Sequence, residues 1–430
     1  MQNLDVKYGL EDKPAWPKML LFGFQWLVIA MPMIIIVGKV VATLQFTNPA
    51  QQIIYLQKVF FVIGLSILLQ ILWGHKLPLI IGPAAVLVVG ITASLSDNLS
   101  TVYSSIFLGG LILAVLSASG LFAYLKRLFT PRVIVTILML IAFTLTPKII
   151  DLLLPNDPQV SALSQLIFGL TFVFSMFLAN KLFRGIWKST LIIWGMLVAS
   201  LIYFLLFPHT FHLNQTSSRF FSGFFQDFNT TISLDAGTLI AFLICYLALA
   251  INDLGSIQSI GQMLKTEEMP KRTSRGITLT GILNMLSGFL GVIGPVNYSL
   301  SPGVIASTGV ASRFTLLPAG IGLMALAFIP PAINLIGTIP SVVIGGAFIY
   351  TLCSQFAAGL LLAFNSMTDF KLENGLVLGL PLMLSVIISY LPEGAVLSFP
   401  LWLRPILGNG FVIGVLTVLI MEHVIYSEKK

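Results

Sequence analysis

Charge is what this chain has least of. Only 9% of its 430 residues are Asp, Glu, Lys or Arg, against 57% hydrophobic, and its mean hydropathy is +0.98. That scarcity excludes a soluble domain of any size, whose surface could not be covered. Cysteine is nearly absent too. Cys245 and Cys353 lie in apolar runs, where a thiol behaves as a small hydrophobe, so neither a disulfide framework nor a metal cluster is supported. The four histidines, His75, His209, His212 and His423, fall in loops or at span ends without metal-ligand spacing. No nucleophile and base pair stands out and no phosphate-cradling loop is present, so the sequence offers no enzyme chemistry and calls for no cofactor. The first 18 residues carry Lys7, Lys13 and Lys18 but no short apolar core ending in small cleavage-site residues, and the first apolar stretch reads as a retained span.

What is present is a succession of apolar segments. Crossing hydrocarbon takes about 20 such residues as a helix. Segments of that kind, several short or broken, lie near 19–43, 54–73, 78–95, 103–124, 131–153, 160–180, 189–207, 236–264, 276–293, 295–312, 314–337, 340–364, 374–391 and 405–425. The expected fold class is an all-α polytopic membrane protein with about 14 transmembrane segments. With the N-terminus inside, eighteen of the 23 Lys and Arg fall on the cytoplasmic side, leaving Lys39, Lys58, Lys148, Arg219 and Arg404 outside. The positive-inside rule asks for that asymmetry, which puts both termini on the cytoplasmic face of a plasma (inner) membrane. The net charge of +7 is then membrane-face charge, and without a basic patch interleaved with aromatics no nucleic-acid partner is expected. An external loop, 208–235, divides the chain near its midpoint; its "RFFSGFFQDF" reads as an aromatic-anchored loop resting on headgroups, with a lid as the other reading.

Two spans are interrupted, one in each half. "LPLIIGPAAVLVVGITASL" carries Gly82-Pro83, and "GPVNYSLSPGVIASTGVASR" carries Ser301-Pro302-Gly303. Each predicts a few extended residues followed by a half-helix with a proline, Pro83 or Pro302, in its first turn, where a missing N–H costs nothing. Non-helical backbone survives at membrane depth only when buried in protein or lining a cavity, so the two stretches are expected to meet near the bilayer centre. Broken segments at matching positions of two halves point to a secondary transporter with inverted repeats. Ordinary proline kinks are the duller alternative and do not explain the polar run before Pro302.

Polar residues inside spans come next. "LALAINDLGSIQSIGQML", 247–264, holds Asn252, Asp253 and Ser256, and Asp253 is the acidic residue placed well inside the bilayer. An intramembrane carboxylate is costly and so functional by default, the alternative being a hydrogen-bonded helix contact. Helical geometry puts Asn252 and Ser256 on one face and Asp253 off it, so only one of Asn252 and Asp253 can face a central site. Gln25 on the first span is either a site residue or bonded to a neighbouring helix. Lys39 and Glu422, near span ends, are expected to snorkel. The GxxxG in "GNGFVIG", 408–414, marks close helix packing.

The order of these features resembles the nucleobase/ascorbate transporter family, the xanthine and uracil permeases, nearest their purine permease branch. "GFQWLVIAM", "IGPAAVLVVG", "NDLGSIQSIGQML" and "NYSLSPGVIASTG" carry the resemblance, along nearly the whole chain. It implies two inverted repeats of seven spans: a core domain, 19–124 and 236–337, facing a gate domain, 131–207 and 340–425, after a cytoplasmic segment, 1–18. The tenth-span signature is matched at Gly303, Thr308 and Gly309, while Leu300 and Ser301 replace its acidic and Asn positions; Asn252 stands for the eighth-span Glu and Trp26 for the first-span His. The function implied is a secondary active transporter moving a nucleobase, a purine or related cyclic amide, by alternating access. The candidate substrate site comprises Asn252, whose carboxamide can face an N–H/C=O edge, backbone at Ala85, Ser299 and Leu300, Tyr298 beside them, and Ser301, Gln25 and Ser256. With Trp26, Asn252 and Leu300 unable to carry a proton, coupling to protons would fall to Asp253. Alternatives are a small-anion carrier, a facilitated-diffusion carrier and a membrane-embedded enzyme. The partners expected are the small-molecule substrate, protons, the lipid bilayer and a second copy in a homodimer.

Overall fold

The computed structural model describes residues 7–94, 98–122, 128, 130–155, 160–210, 224, 228–298, 301–366, 371–400 and 403–426. The protein is helical almost throughout: α1 (Trp16–Gln45), α2 (Pro49–Leu72), α3 (Ala85–Ala93), α4 (Leu99–Ala118), α5 (Pro131–Thr144), α6 (Thr146–Leu153), α7 (Ala162–Leu182), α8 (Leu191–Leu206), α9 (Ala236–Met263), α10 (Met269–Leu290), α11 (Ser301–Thr308), α12 (Leu317–Ala327), α13 (Pro330–Gly337), α14 (Ser341–Ser366), α15 (Leu372–Ser389) and α16 (Gly410–Ile420). Starts follow the local chemistry: Asn48 and Thr130 each cap a helix through the side chain, with proline in the first turn of α2 and α5. Among the described residues seven helices are long and apolar enough to cross a membrane, or eight if Arg313–Ala327 and Pro330–Gly337, bent by 89°, form one broken span. The eleventh expected span is that bent pair rather than one helix, because Pro330-Pro331 cannot continue the helix before it.

Two helix pairs organise one half of the molecule, α2 against α12 and α4 against α10. Both depend on glycine, because a Cβ at Gly64 would stand 2.7 Å from the Gly320 carbonyl oxygen, and one at Gly281 would stand 2.7 Å from that of Gly110. In span order these pairs are second with eleventh and fourth with ninth, the pairing two inverted repeats generate. A side chain at Gly281 also meets the Ala114 amide nitrogen at 2.6 Å, so only backbone movement could relieve it. Gly281→Val is therefore expected to cost about 3 kcal/mol or more and to abolish the monodisperse peak in fluorescence-detected size-exclusion chromatography, while Gly255→Ala, with open space around it, leaves the peak unchanged.

Elsewhere α14 packs on α5 and α7, and α15 on α5 and α16. The GxxxG behaves as expected: a Cβ at Gly410 would meet the Ser385 carbonyl oxygen and one at Gly414 the Leu140 side chain. Two expectations fail. Lys39 does not snorkel; its ammonium donates to the carbonyls of Gly337 and Ile339 (2.7 Å to the latter), which a helix end at the α13–α14 bend leaves without partners. Glu422 is buried, with Arg132 Nε 3.1 Å from its carboxylate. Of the Phe-rich stretch 219–228 only Phe224 and Phe228 are described. Phe224 is buried against Phe61 and Phe328, and Phe228 stacks on Phe289 at 5.3 Å.

The interrupted spans meet as the sequence implies. Strand β1 (Ile81–Pro83) pairs antiparallel with β2 (Pro295–Asn297) in the register Ile81 with Asn297, Gly82 with Val296 and Pro83 with Pro295. Pro83 lies in the strand, not in the first turn of α3, which begins at Ala85 after an Ala84 cap. Facing Pro295, neither proline has an N–H to offer, so the ladder ends there and the Ala84 amide donates instead to Gly294 O at 2.9 Å. Pro302 does occupy the first turn of α11. Beyond α11 the N-terminal segment straps the chain down: Lys7 N donates to Gly309 O at 2.7 Å, Ala311 N to Tyr8 O at 2.9 Å, and Arg313 grips the Glu11 carboxylate at 2.8 Å.

Candidate functional site

The strand pair is held between two long helices. On one side α1 packs against β1 and α3; on the other α9 packs against β2, α3 and α11. Tyr298 continues β2, its amide donating to Ile80 O at 2.9 Å. Its ring fills the space over Gly82, where a Cβ would stand 2.3 Å from the ring, and its hydroxyl donates to Pro83 O. The Ser301 hydroxyl accepts the Ile80 amide at 2.8 Å, so this buried serine fastens α11 to the strand before β1. Ala85, half-buried, opens α3, whose first amides have no intrahelical acceptor. Ser299 and Leu300 lie outside the described residues.

Behind β2 sits a fully buried polar network. The Asp253 carboxylate accepts three hydrogen bonds: from Thr280 Oγ1 at 2.7 Å, from the Asn297 amide at 2.9 Å and from Asn297 Nδ2 at 2.6 Å. Gln70 Nε2 donates to Thr280 Oγ1 at 3.0 Å. Leu77 N donates to His75 Nδ1 at 2.9 Å, which leaves the ring proton on Nε2 to donate to Asn297 Oδ1 at 3.1 Å. Every partner has a consistent direction with Asp253 purely an acceptor. Ser256 also turns to the strand, donating to Asn297 O at 3.0 Å, so Asp253 and Ser256, three residues apart, are both committed to β2. The sequence singled out Asp253 and Ser256 but not Gln70, His75, Thr280 or Asn297 as their partners; the available signal was intramembrane polarity at positions 70 and 280, beside histidine and asparagine at the ends of the broken spans.

Two carboxamides on the helices that flank the crossing remain unspent. Asn252 is half-buried and, among the described residues, its side chain makes no hydrogen bond; Gly255, one turn on, is exposed with open space beside it. On α1 the Gln25 Nε2 is buried without a partner. A buried amide donor left unmade costs about 1–3 kcal/mol, a cost that a ligand accepting from Gln25 would recover; Gln45, Gln165 and Asn409, away from the crossing, carry such donors too. The strand pair thus lies between α1, which carries Gln25, and α9, which carries Asn252, with the half-helices α3 and α11 beside it.

Residues 17–394 match the family model described as a permease family, that of the xanthine and uracil permeases. The chain belongs to this permease family. Two relatives of this permease show the extent of the likeness: the xanthine permease of Bacillus subtilis is 25% identical over 92% of this chain and 90% of its own, and the nucleobase transporter PlUacP of Paenibacillus larvae is 24% identical over 96% of each. Among solved structures, the transmembrane domain of the cyanobacterial bicarbonate transporter BicA superposes with a TM-score of 0.61 at 17% identity, covering 89% of this chain and 98% of its own. That likeness concerns the fold alone. In this permease Trp26, at the position the resemblance gives to a histidine, is buried and donates Nε1 to Thr315 Oγ1 at 3.0 Å, tying α1 to the loop after α11.

Proposed function

We propose that this integral membrane permease carries a nucleobase, of the purine or related cyclic-amide class, in a site between the strand crossing and the unpaired carboxamides of Asn252 and Gln25. The idle Asn252 side chain carries the reading. A carboxamide presents one donor edge and one acceptor edge, as the N–H/C=O edge of a lactam does, and it needs no charge on the ligand. Backbone at Ala85, at the start of α3, adds a fixed donor, the Tyr298 ring closes one side, and Ser299 and Leu300 belong to the proposed site by sequence alone. Ser256 and Ser301 hold the strands that present this backbone. The named activities of the Bacillus xanthine permease and the Paenibacillus nucleobase transporter support the same substrate class.

The proposed setting is the plasma membrane with both termini cytoplasmic, supported by the distribution of Lys and Arg, and with a core domain (19–124 and 236–337) rocking against a gate domain (131–207 and 340–425). Proton coupling is assigned to Asp253, and the exposed apolar faces of α7, α8 and α15 leave room for a second copy. Uptake of radiolabelled purines, pyrimidines, urate and hydantoins by cells expressing the chain is the deciding experiment. At least one neutral heterocycle is expected to accumulate, and competition by bicarbonate or sulfate but by no heterocycle would replace this reading with an anion carrier.

A further inference from the structure

The turn joining α7 to α8 is built unlike its neighbours. Every residue from Lys181 to Lys188 is exposed, among them Leu182 at 66%, Ile186 at 56% and Trp187 at 65%. The segment is nonetheless held in one conformation. Trp194 Nε1 donates to Trp187 O at 2.9 Å, Thr190 Oγ1 donates to Ile186 O at 2.8 Å, and Phe183 meets the Trp194 ring edge-on at 5.3 Å. Large apolar side chains are therefore fixed outward between three cations, Lys181, Arg184 and Lys188, with no acidic residue in the segment.

Neither water nor hydrocarbon alone suits that surface. Water would leave Leu182, Ile186 and Trp187 unburied, and the acyl region would strand the three cations. Aromatic and basic residues together fit the headgroup level, where a tryptophan ring and aliphatic side chains enter the lipid while Lys and Arg meet phosphate. The turn between α9 and α10, expected on the same face, differs: Glu267 and Glu268 offset its lysines and arginines, and Lys271 pairs with Glu268 at 2.8 Å. Unbalanced positive charge beside outward apolar groups sets residues 181–188 apart from that turn.

We propose that this turn is a binding surface for anionic lipid of the cytoplasmic leaflet, seated by Lys181, Arg184 and Lys188 around Trp187. The short helix Gly185–Ser189 in this turn lies against α11, the half-helix of the strand crossing. Lipid held there borders the contact across which the gate domain must move past α11, so membrane composition acts on the transport cycle. The inference rests on the cytoplasmic placement of the turn under the proposed function, but not on which substrate is carried.

Tryptophan quenching by brominated lipids tests it without any substrate. The protein is reconstituted into vesicles with the same lipid in both leaflets, brominated phosphatidylglycerol in one set and brominated phosphatidylcholine in the other. Stronger quenching by phosphatidylglycerol is expected, and Trp187→Phe, which removes one of six tryptophans, should delete that excess. The triple substitution Lys181→Gln, Arg184→Gln and Lys188→Gln should delete it too. Should that variant not fold, wild type near 1 M salt, where the Debye length is about 3 Å, should lose the excess instead. Equal quenching by the two lipids, or an excess that survives the triple substitution or the salt, would overturn the proposal whatever the substrate panel returns.

Discussion

Asn252→Ala abolishes measurable uptake of the nucleobase while the protein still folds in the membrane. The two halves of that result come from one observation. Because the Asn252 carboxamide bonds to nothing else among the described residues, truncating it breaks no internal hydrogen bond, and the size-exclusion profile should match that of wild type. The ligand fares differently, since a lactam edge buried opposite alanine has an unmet donor and an unmet acceptor. At about 1–3 kcal/mol for each, about 2–6 kcal/mol together, affinity falls by roughly thirtyfold to more than ten-thousandfold. Gln25→Ala should follow the same pattern with a smaller loss if its Nε2 makes a single bond to the base. Kinetics of radiolabelled uptake, normalised to folded protein, provide the check; an unchanged apparent affinity in Asn252→Ala would remove that residue from the site.

Most of the fold was legible because the membrane leaves few solutions. Apolar length marks the helices, and the Gly-Pro breaks at Gly82-Pro83 and Ser301-Pro302 mark the places where backbone must find partners in the other half, as the β1–β2 pair shows. Details that depend on a neighbour were not legible. Pro83 satisfies a helix start or a strand end equally well, and only its position opposite Pro295 decides. Lys39 and Glu422 looked like snorkelling ends because a chain read alone does not reveal that unsatisfied carbonyls at Gly337 and Ile339, or the Arg132 guanidinium, lie within reach. The site shows the same division. Asp253, Ser256, Gln25 and Asn252 stand out as polarity in apolar runs, yet which two are committed to β2 and which two are idle follows from a register between helix and strand that periodicity cannot supply.

Asp253→Asn is expected to fold and to exchange substrate, but to lose accumulation driven by a proton gradient. Its carboxylate takes donors on both oxygens, Thr280 on one and the amide and side chain of Asn297 on the other. A proton arriving on Oδ1 would displace one of the two bonds there, and since both come from Asn297 of β2, the strand feels the change first. Asn297 also accepts from His75, and Arg272 holds the His75 and Lys76 carbonyls at 3.1 Å, so the disturbance spans the crossing and the C-terminal end of α2. Asn252 makes no hydrogen bond to this network among the described residues, so protonation acts on the ligand through strand position. Linkage makes the effect reciprocal: a base that favours one position of β2 changes proton affinity at Asp253 by the same factor. Asparagine keeps the shape but fixes its donor and acceptor ends, freezing one arrangement. Uptake against external pH, with and without a protonophore, and counterflow exchange should be measured in wild type and in Asp253→Asn. A pH-driven wild type whose drive vanishes in the variant, with counterflow retained, is the outcome the geometry leads us to expect. A wild type indifferent to both pH and protonophore would mean facilitated diffusion, and a pH-driven wild type left untouched by Asp253→Asn would move the proton site elsewhere. Loss of counterflow along with drive would make Asp253 an anchor of β2 and nothing more.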